Sequence, residues 1–151
     1  FPSAKKCGLD PRDHTRVAKD YRVILDRKDV DAVCISTPDH WHGRMTVDAL
    51  DAGKDVYVEK PMTRTPEEAV AVLDAWQRTG RVVTVGVQSM ADGVWVRAFD
   101  TVRQGGIGHV AHAQGGIFRN DARGQWRFYR LAKEMTPKTV DWDLFLGHGF
   151  E

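Results

Sequence analysis

The chain has 151 residues, 42% of them apolar and 28% charged, which is enough to bury the core of one domain or parts of two and too apolar for extended disorder. Its 22 basic and 21 acidic residues leave a formal charge of +1 and no basic face, which argues against nucleic acid or an anionic membrane as a partner. No apolar run approaches the roughly 18 to 20 residues needed to cross a bilayer, and Cys7 and Cys34 are too few for a disulfide framework or a zinc knuckle.

The elements follow in chain order. Asp20-Tyr21 through Arg27 predicts a short helix. Ala32-Val33-Cys34-Ile35 is a continuous apolar run, as expected of a parallel strand buried on both faces, with Cys34 a buried thiol. Thr37-Pro38-Asp39 breaks it, and a helix is expected from about His40 to Ala52, closed by Gly53. Asp55-Val56-Tyr57-Val58 predicts a second strand, ended by Glu59-Lys60-Pro61.

Thr65-Pro66-Glu67-Glu68 has the form of a helix start, with Thr as N-cap, Pro in the first helical position and Glu placed to close a capping box. Ala69, Val72, Leu73 and Trp76 then make a stripe expected to face a sheet, up to Gly80. Val82-Val83-Thr84-Val85 is a third strand. Strand starts near 32, 55 and 82 leave room for one helix between each pair, so the crossovers are parallel and a doubly wound α/β sheet is expected.

Beyond Gly86 the pattern changes. Asp92 to Gln104 predicts a helix carrying Val94, Ala98 and Val102, closed by Gly105-Gly106. From Val110, Ala111, Ala113 and Ile117 alternate with His112 and Gln114, which predicts a half-buried antiparallel strand. Residues 119–151 show no clear period. Their rings, Trp126, Phe128, Tyr129, Trp142, Phe145 and Phe150, are expected to pack onto a second sheet or, in the functional reading, to line a sugar pocket.

In an open parallel sheet, ligands bind at the carboxyl ends of the strands. That directs attention to Ser36-Thr37-Pro38-Asp39-His40-Trp41-His42, to Glu59-Lys60-Pro61-Met62 and to Gly86-Val87-Gln88. Lys60 is the candidate catalytic group, because a lysine beside a pocket of low dielectric serves as acid or base or polarises an oxygen. The alternatives are a surface lysine paired to Glu59 and a Schiff-base nucleophile of an aldolase-like or lyase site. His40 and His42 are too close along a helix start to face one way, so no metal site is expected. The G-x-G-x-x-G phosphate fingerprint is missing from the chain.

Ser36-Thr37-Pro38-Asp39-His40-Trp41-His42, Asp51-Ala52-Gly53-Lys54-Asp55-Val56-Tyr57-Val58-Glu59-Lys60-Pro61 and Val85-Gly86-Val87-Gln88 resemble, in order and spacing, the glucose-fructose oxidoreductase and inositol dehydrogenase (Gfo/Idh/MocA) family. The resemblance implies an α/β chain. Residues 1–88 would be the later part of an NAD(P)-binding Rossmann domain with its parallel sheet. Residues 89–151 would begin an α+β substrate and oligomerisation domain with a mostly antiparallel sheet.

It further implies an enzyme that moves hydride between a sugar or polyol and NAD or NADP. Ser36, Thr37, Pro38, His42, Glu59, Lys60, Pro61 and Gln88 would line the cofactor, and Lys60 and Gln88 would meet the substrate. Pro61 often follows a cis bond in the family. The family's Gly-rich turn is expected upstream of Phe1 and its catalytic Asp and His downstream of Glu151. His109, His112 and His148 sit in no matching motif, and Ser89-Met90 stand where relatives often carry Arg. A truncated chain, inert alone, is therefore expected, from a homo-oligomeric parent that is cytoplasmic by default or exported. The non-catalytic alternative is a nucleotide- or sugar-binding module.

Overall fold

The computed structural model describes residues 8, 10, 12, 13, 16–116 and 133–147. Two compact units divide the chain, Phe1–Val87 and Gln88–Glu151. In the first, helix α1 (Arg22–Leu25) leads to strand β1 (Ala32–Ile35), helix α2 (Asp39–Asp51), strand β2 (Asp55–Glu59), helix α3 (Pro66–Thr79) and strand β3 (Val83–Gly86). The strands pair in parallel in the order β1-β2-β3, with Ile35 opposite Val58 and Glu59 opposite Gly86.

Strand period decides which side chains the helices cover. Ile35 of β1 and Val56 and Val58 of β2 are buried with Ala49 and Leu50 of α2 and Ala75 of α3, and Val33, Val83 and Val85 pack against that cluster. Cys34, Tyr57 and Thr84, opposite one another in register, point the other way and are exposed. The expectation that β1 is buried on both faces, with Cys34 inside, is therefore corrected. Both crossover helices pack against each other and so lie on one face of the sheet, while the Cys34, Tyr57 and Thr84 side chains leave the second face open. On that open face the Tyr57 ring lies over Gly86: a Cβ there would stand 2.7 Å from the phenol hydroxyl, and the ring would have to shift to admit it.

Helix α3 starts and stops largely as its sequence dictates. The Thr65 hydroxyl accepts from the Glu68 N–H at 3.2 Å, Pro66 takes the first position, and Gly80 ends the helix at φ 63°, where glycine meets no Cβ penalty. The capping box is redirected by one residue. The Glu68 carboxylate accepts from the Arg64 backbone N–H at 2.7 Å and from its guanidinium at 3.2 Å. Burial raises the Glu68 pKa, but these donors outweigh it and the carboxyl titrates below its usual range. Val72 and Ala75 are the buried residues of α3, whereas Leu73 and Trp76 stay exposed. Both still face the sheet as expected, lining with Val83 and Val85 an open cleft of about 290 Å³ between α3 and β3.

Polar contacts fasten the segments around α2. Lys54, buried in the turn before β2, donates to the Arg27 carbonyl at 2.6 Å. The Tyr21 hydroxyl donates to Asp48 at 2.5 Å, Arg44 bridges the same carboxylate at 2.9 Å, and the Tyr21 ring meets Trp41 edge-on. Burial, then the bond to Asp48 and its charge, push the Tyr21 phenol up to about 12. A raised pKa means that this contribution to stability is complete below the unfolded value of about 10 and is lost as pH climbs through the folded one. Phenolate absorbance from Tyr21, identified by its loss in Tyr21→Phe, is expected near pH 12.

Thr46 of α2 is fully buried, and its hydroxyl has no hydrogen-bond partner among the described residues. Thr46→Val keeps the shape and removes the stranded dipole. The unfolding free energy is expected to hold or to rise by about 1 kcal/mol, which denaturant titration would measure.

In the second unit, helix α4 (Gly93–Arg103) is capped by Asp92, whose carboxylate accepts from the Val94 N–H at 2.8 Å, and all its residues are exposed. The antiparallel strand expected from Val110 is not formed over 110–116, which are exposed and irregular. Alternation alone does not make a strand: the backbone needs a neighbouring ladder, and the described residues supply none there. Ile117, Trp126, Phe128, Tyr129 and Phe150 lie outside the described residues. Trp142 and Phe145 share a short helix, α5 (Trp142–Leu146), their rings edge-on at 5.7 Å. Asp141 caps it by accepting from the Leu144 N–H, a start that the sequence reading did not pick out.

Candidate active site

Parallel pairing brings the carboxyl ends of the strands level, so the segments after β1 and β2 lie side by side on one rim, with Gly86 opposite Glu59. After β1 the chain must turn at once into α2. Pro38 is the N-cap residue, extended at φ −58° and ψ 147°, and its carbonyl accepts from the Trp41 N–H. The first turn of α2 therefore opens at the rim, with its N–H groups and partial positive charge toward the loop. Ser36 and Pro38 are exposed; Thr37 is half-buried, its hydroxyl donating to the Met45 sulfur at 3.6 Å.

After β2, Glu59 is half-buried and Lys60 exposed, and the Lys60–Pro61 bond is cis. Lys60 makes no ion pair with Glu59 and no hydrogen bond to the described residues, so the reading of it as a surface lysine paired to Glu59 finds no support. His42 joins the two segments. It is 1% exposed, with Nδ1 2.6 Å from the Pro61 carbonyl oxygen and Nε2 2.8 Å from that of Thr37. Gln88, in contrast, opens the second unit and is exposed in a turn.

Thr37, His42 and Pro61 are thus brought into one bonded group, with Glu59 and Lys60 next in the chain and Ser36 and Pro38 on the facing loop. Sequence reasoning had no signal for Met45 beneath Thr37, nor for the two carbonyls that claim the His42 ring. Among the described residues no three His, Cys, Asp or Glu side chains converge as a metal site would. The rim suits the polar end of a nucleotide: an unpaired ammonium at Lys60, a half-buried carboxylate at Glu59, and the N–H groups of a helix start.

A parallel sheet with its loops gathered at the strands' carboxyl ends, behind which a helix begins, defines a dinucleotide-binding protein of the Rossmann class. Residues 3–87 match the family model GFO_IDH_MocA, "Oxidoreductase family, NAD-binding Rossmann fold", and the chain belongs to this family. It is 31% identical over 118 residues to the alpha-N-acetylgalactosaminidase of Shewanella oneidensis, covering 72% of this chain and 26% of that protein.

Among solved structures it is similar to levoglucosan dehydrogenase in complex with NADH and levoglucosan, with a TM-score of 0.62, 31% identity, and coverage of 71% of this chain and 28% of that one. It is also similar to scyllo-inositol dehydrogenase from Lactobacillus casei, with a TM-score of 0.62, 27% identity, and coverage of 70% and 30%. The chain spans about a quarter of the length of the curated relatives it matches. No described helix is long and apolar enough to cross a membrane.

Proposed function

We propose that the complete enzyme moves hydride between a carbinol of a sugar or polyol and a nicotinamide dinucleotide, with Lys60 polarising the reacting oxygen. The observation that carries this reading is the unpaired Lys60 ammonium, exposed at the carboxyl end of β2 beside half-buried Glu59. The bound cofactor would supply the hydride acceptor. Thr37, Pro38 and the first turn of α2 would receive its nicotinamide and ribose end, with Glu59 and Ser36 at the margins. The Lys60 ammonium would donate a hydrogen bond to the substrate oxygen and stabilise the negative charge that grows on it, while the hydroxyl proton would pass to a histidine base of the complete enzyme. Gln88 would meet the substrate.

A likeness to levoglucosan dehydrogenase supports a sugar-like substrate. The test is a panel of sugars and polyols offered to the complete enzyme with NAD or NADP while nicotinamide reduction is followed. Reduction with at least one carbinol is expected, and none across the panel would reject the reading.

The alpha-N-acetylgalactosaminidase relative favours one other outcome, cleavage of a glycoside by an enzyme of this cofactor class. Oxidising a ring hydroxyl to a ketone would acidify the neighbouring C–H, so the aglycone could be eliminated as its alcohol, and water would then add to the unsaturated ketone before the hydride returned. That chemistry uses the same Lys60 and differs in its balance: aglycone would be released with no net reduction of the cofactor. Borohydride trapping of a substrate adduct on Lys60 would instead support a Schiff-base site.

A further inference from the structure

His42 is placed more tightly than contact with a cofactor would require. Its ring lies between two backbone carbonyl oxygens, 2.6 Å from that of Pro61 and 2.8 Å from that of Thr37. A carbonyl oxygen only accepts, so a ring with a single N–H satisfies one of them and turns a lone pair on the other. An approach of two lone pairs at hydrogen-bond distance is repulsive. A second N–H removes the repulsion, and charge-assisted bonds are about twice as strong as neutral ones. Burial of the ring and the start of α2 both work against a cation there, so the two bonds must outweigh them.

We propose that His42 is a positioning residue that donates from both ring nitrogens, tying the loop after β1 to the turn after β2. Lys60 immediately precedes one of the tied residues, so the tie fixes where its side chain leaves the rim. With both nitrogens engaged and the ring buried, His42 acts on the site through Thr37 and Pro61 and does not touch the cofactor. The consequence for catalysis rests on reading Lys60 as the reacting lysine; the tie itself does not.

The experiment has two arms so that the two can fail separately. In the 151-residue chain labelled with ¹⁵N at histidine, and assigned with His42→Gln, both His42 nitrogens are expected in the protonated range, each with an N–H proton protected from exchange with water. An unprotonated His42 nitrogen in the wild-type chain overturns the tie, whatever Lys60 does. In the complete enzyme, His42→Gln keeps one donor end and is expected to lower kcat by roughly tenfold to a hundredfold, the range for small misplacements of a reacting group. Its affinity for the nicotinamide dinucleotide is expected to stay within about twofold of wild type. Lost cofactor affinity with unchanged kcat would put the ring on the cofactor and overturn the positioning role, and a kcat and affinity that both stay unchanged would overturn the consequence for Lys60, the tie being decided by the first arm.

Discussion

Lys60→Ala in the complete enzyme is expected to lower kcat by roughly 10²- to 10⁴-fold, the range contributed by a positioned acid or base. The same substitution should leave the unfolding midpoint where it was. Lys60 is exposed and makes no hydrogen bond or ion pair with the described residues, so removing its side chain takes nothing from the fold. That separation makes the result interpretable, because activity would fall with stability unchanged. Lys60→Arg refines it. A guanidinium keeps the positive charge but does not give up a proton, so activity retained in Lys60→Arg would assign the residue a purely electrostatic part. Steady-state kinetics beside a denaturation curve of each variant would read both.

Leu50→Ala is expected to cost about 2 to 5 kcal/mol of unfolding free energy, the range for truncating a fully buried leucine. Leu50 is 0% exposed and belongs to the cluster with Ile35, Val56, Val58 and Ala75, where both crossover helices meet the sheet. The cavity left there would have strand backbone on one side and helix backbone on the other, neither free to collapse. Leu73→Ala, on the exposed side of α3, should cost about 0.5 kcal/mol or less, as surface changes do. Equal losses at the two positions would mean that the stripe read from the sequence, and not the packing between α2 and α3, holds the unit together. Urea titrations of the two variants would decide it.

The contrast between these leucines shows what was legible. Strand positions, crossover helices, the Thr65 cap and the Gly80 stop all follow from local rules, each satisfied within a few residues, and the structure forms them there. Parallel pairing also follows, because the spacing between strands admits little else. The stripe on α3 does face β3, but how fully it is covered depends on neighbours remote in sequence: Leu73 and Trp76 lie at the predicted spacing yet edge an open cleft.

The open face of β1 was half legible. Val33 and Ile35 alternate with Cys34, Val56 and Val58 with Tyr57, and Val83 and Val85 with Thr84, a two-residue period that a run of apolar letters conceals. At the site, the rim could be named from strand ends alone, and Lys60 with it. The part played by His42 could not, because its two partners are backbone carbonyls at positions 37 and 61, and no side-chain motif announces a carbonyl.

The Tyr57 ring over Gly86 ties two positions far apart in the chain into one steric unit. Neither can change size freely while the other stays as it is: a methyl group at 86 displaces the phenol, and a smaller residue at 57 makes room for one. The order of substitution therefore matters. A lineage that first trims Tyr57 can later accept a side chain at 86, while the reverse order passes through a clash beside Glu59, at the edge of the candidate site. Variation at this end of β3 is thus conditional on what β2 has already become.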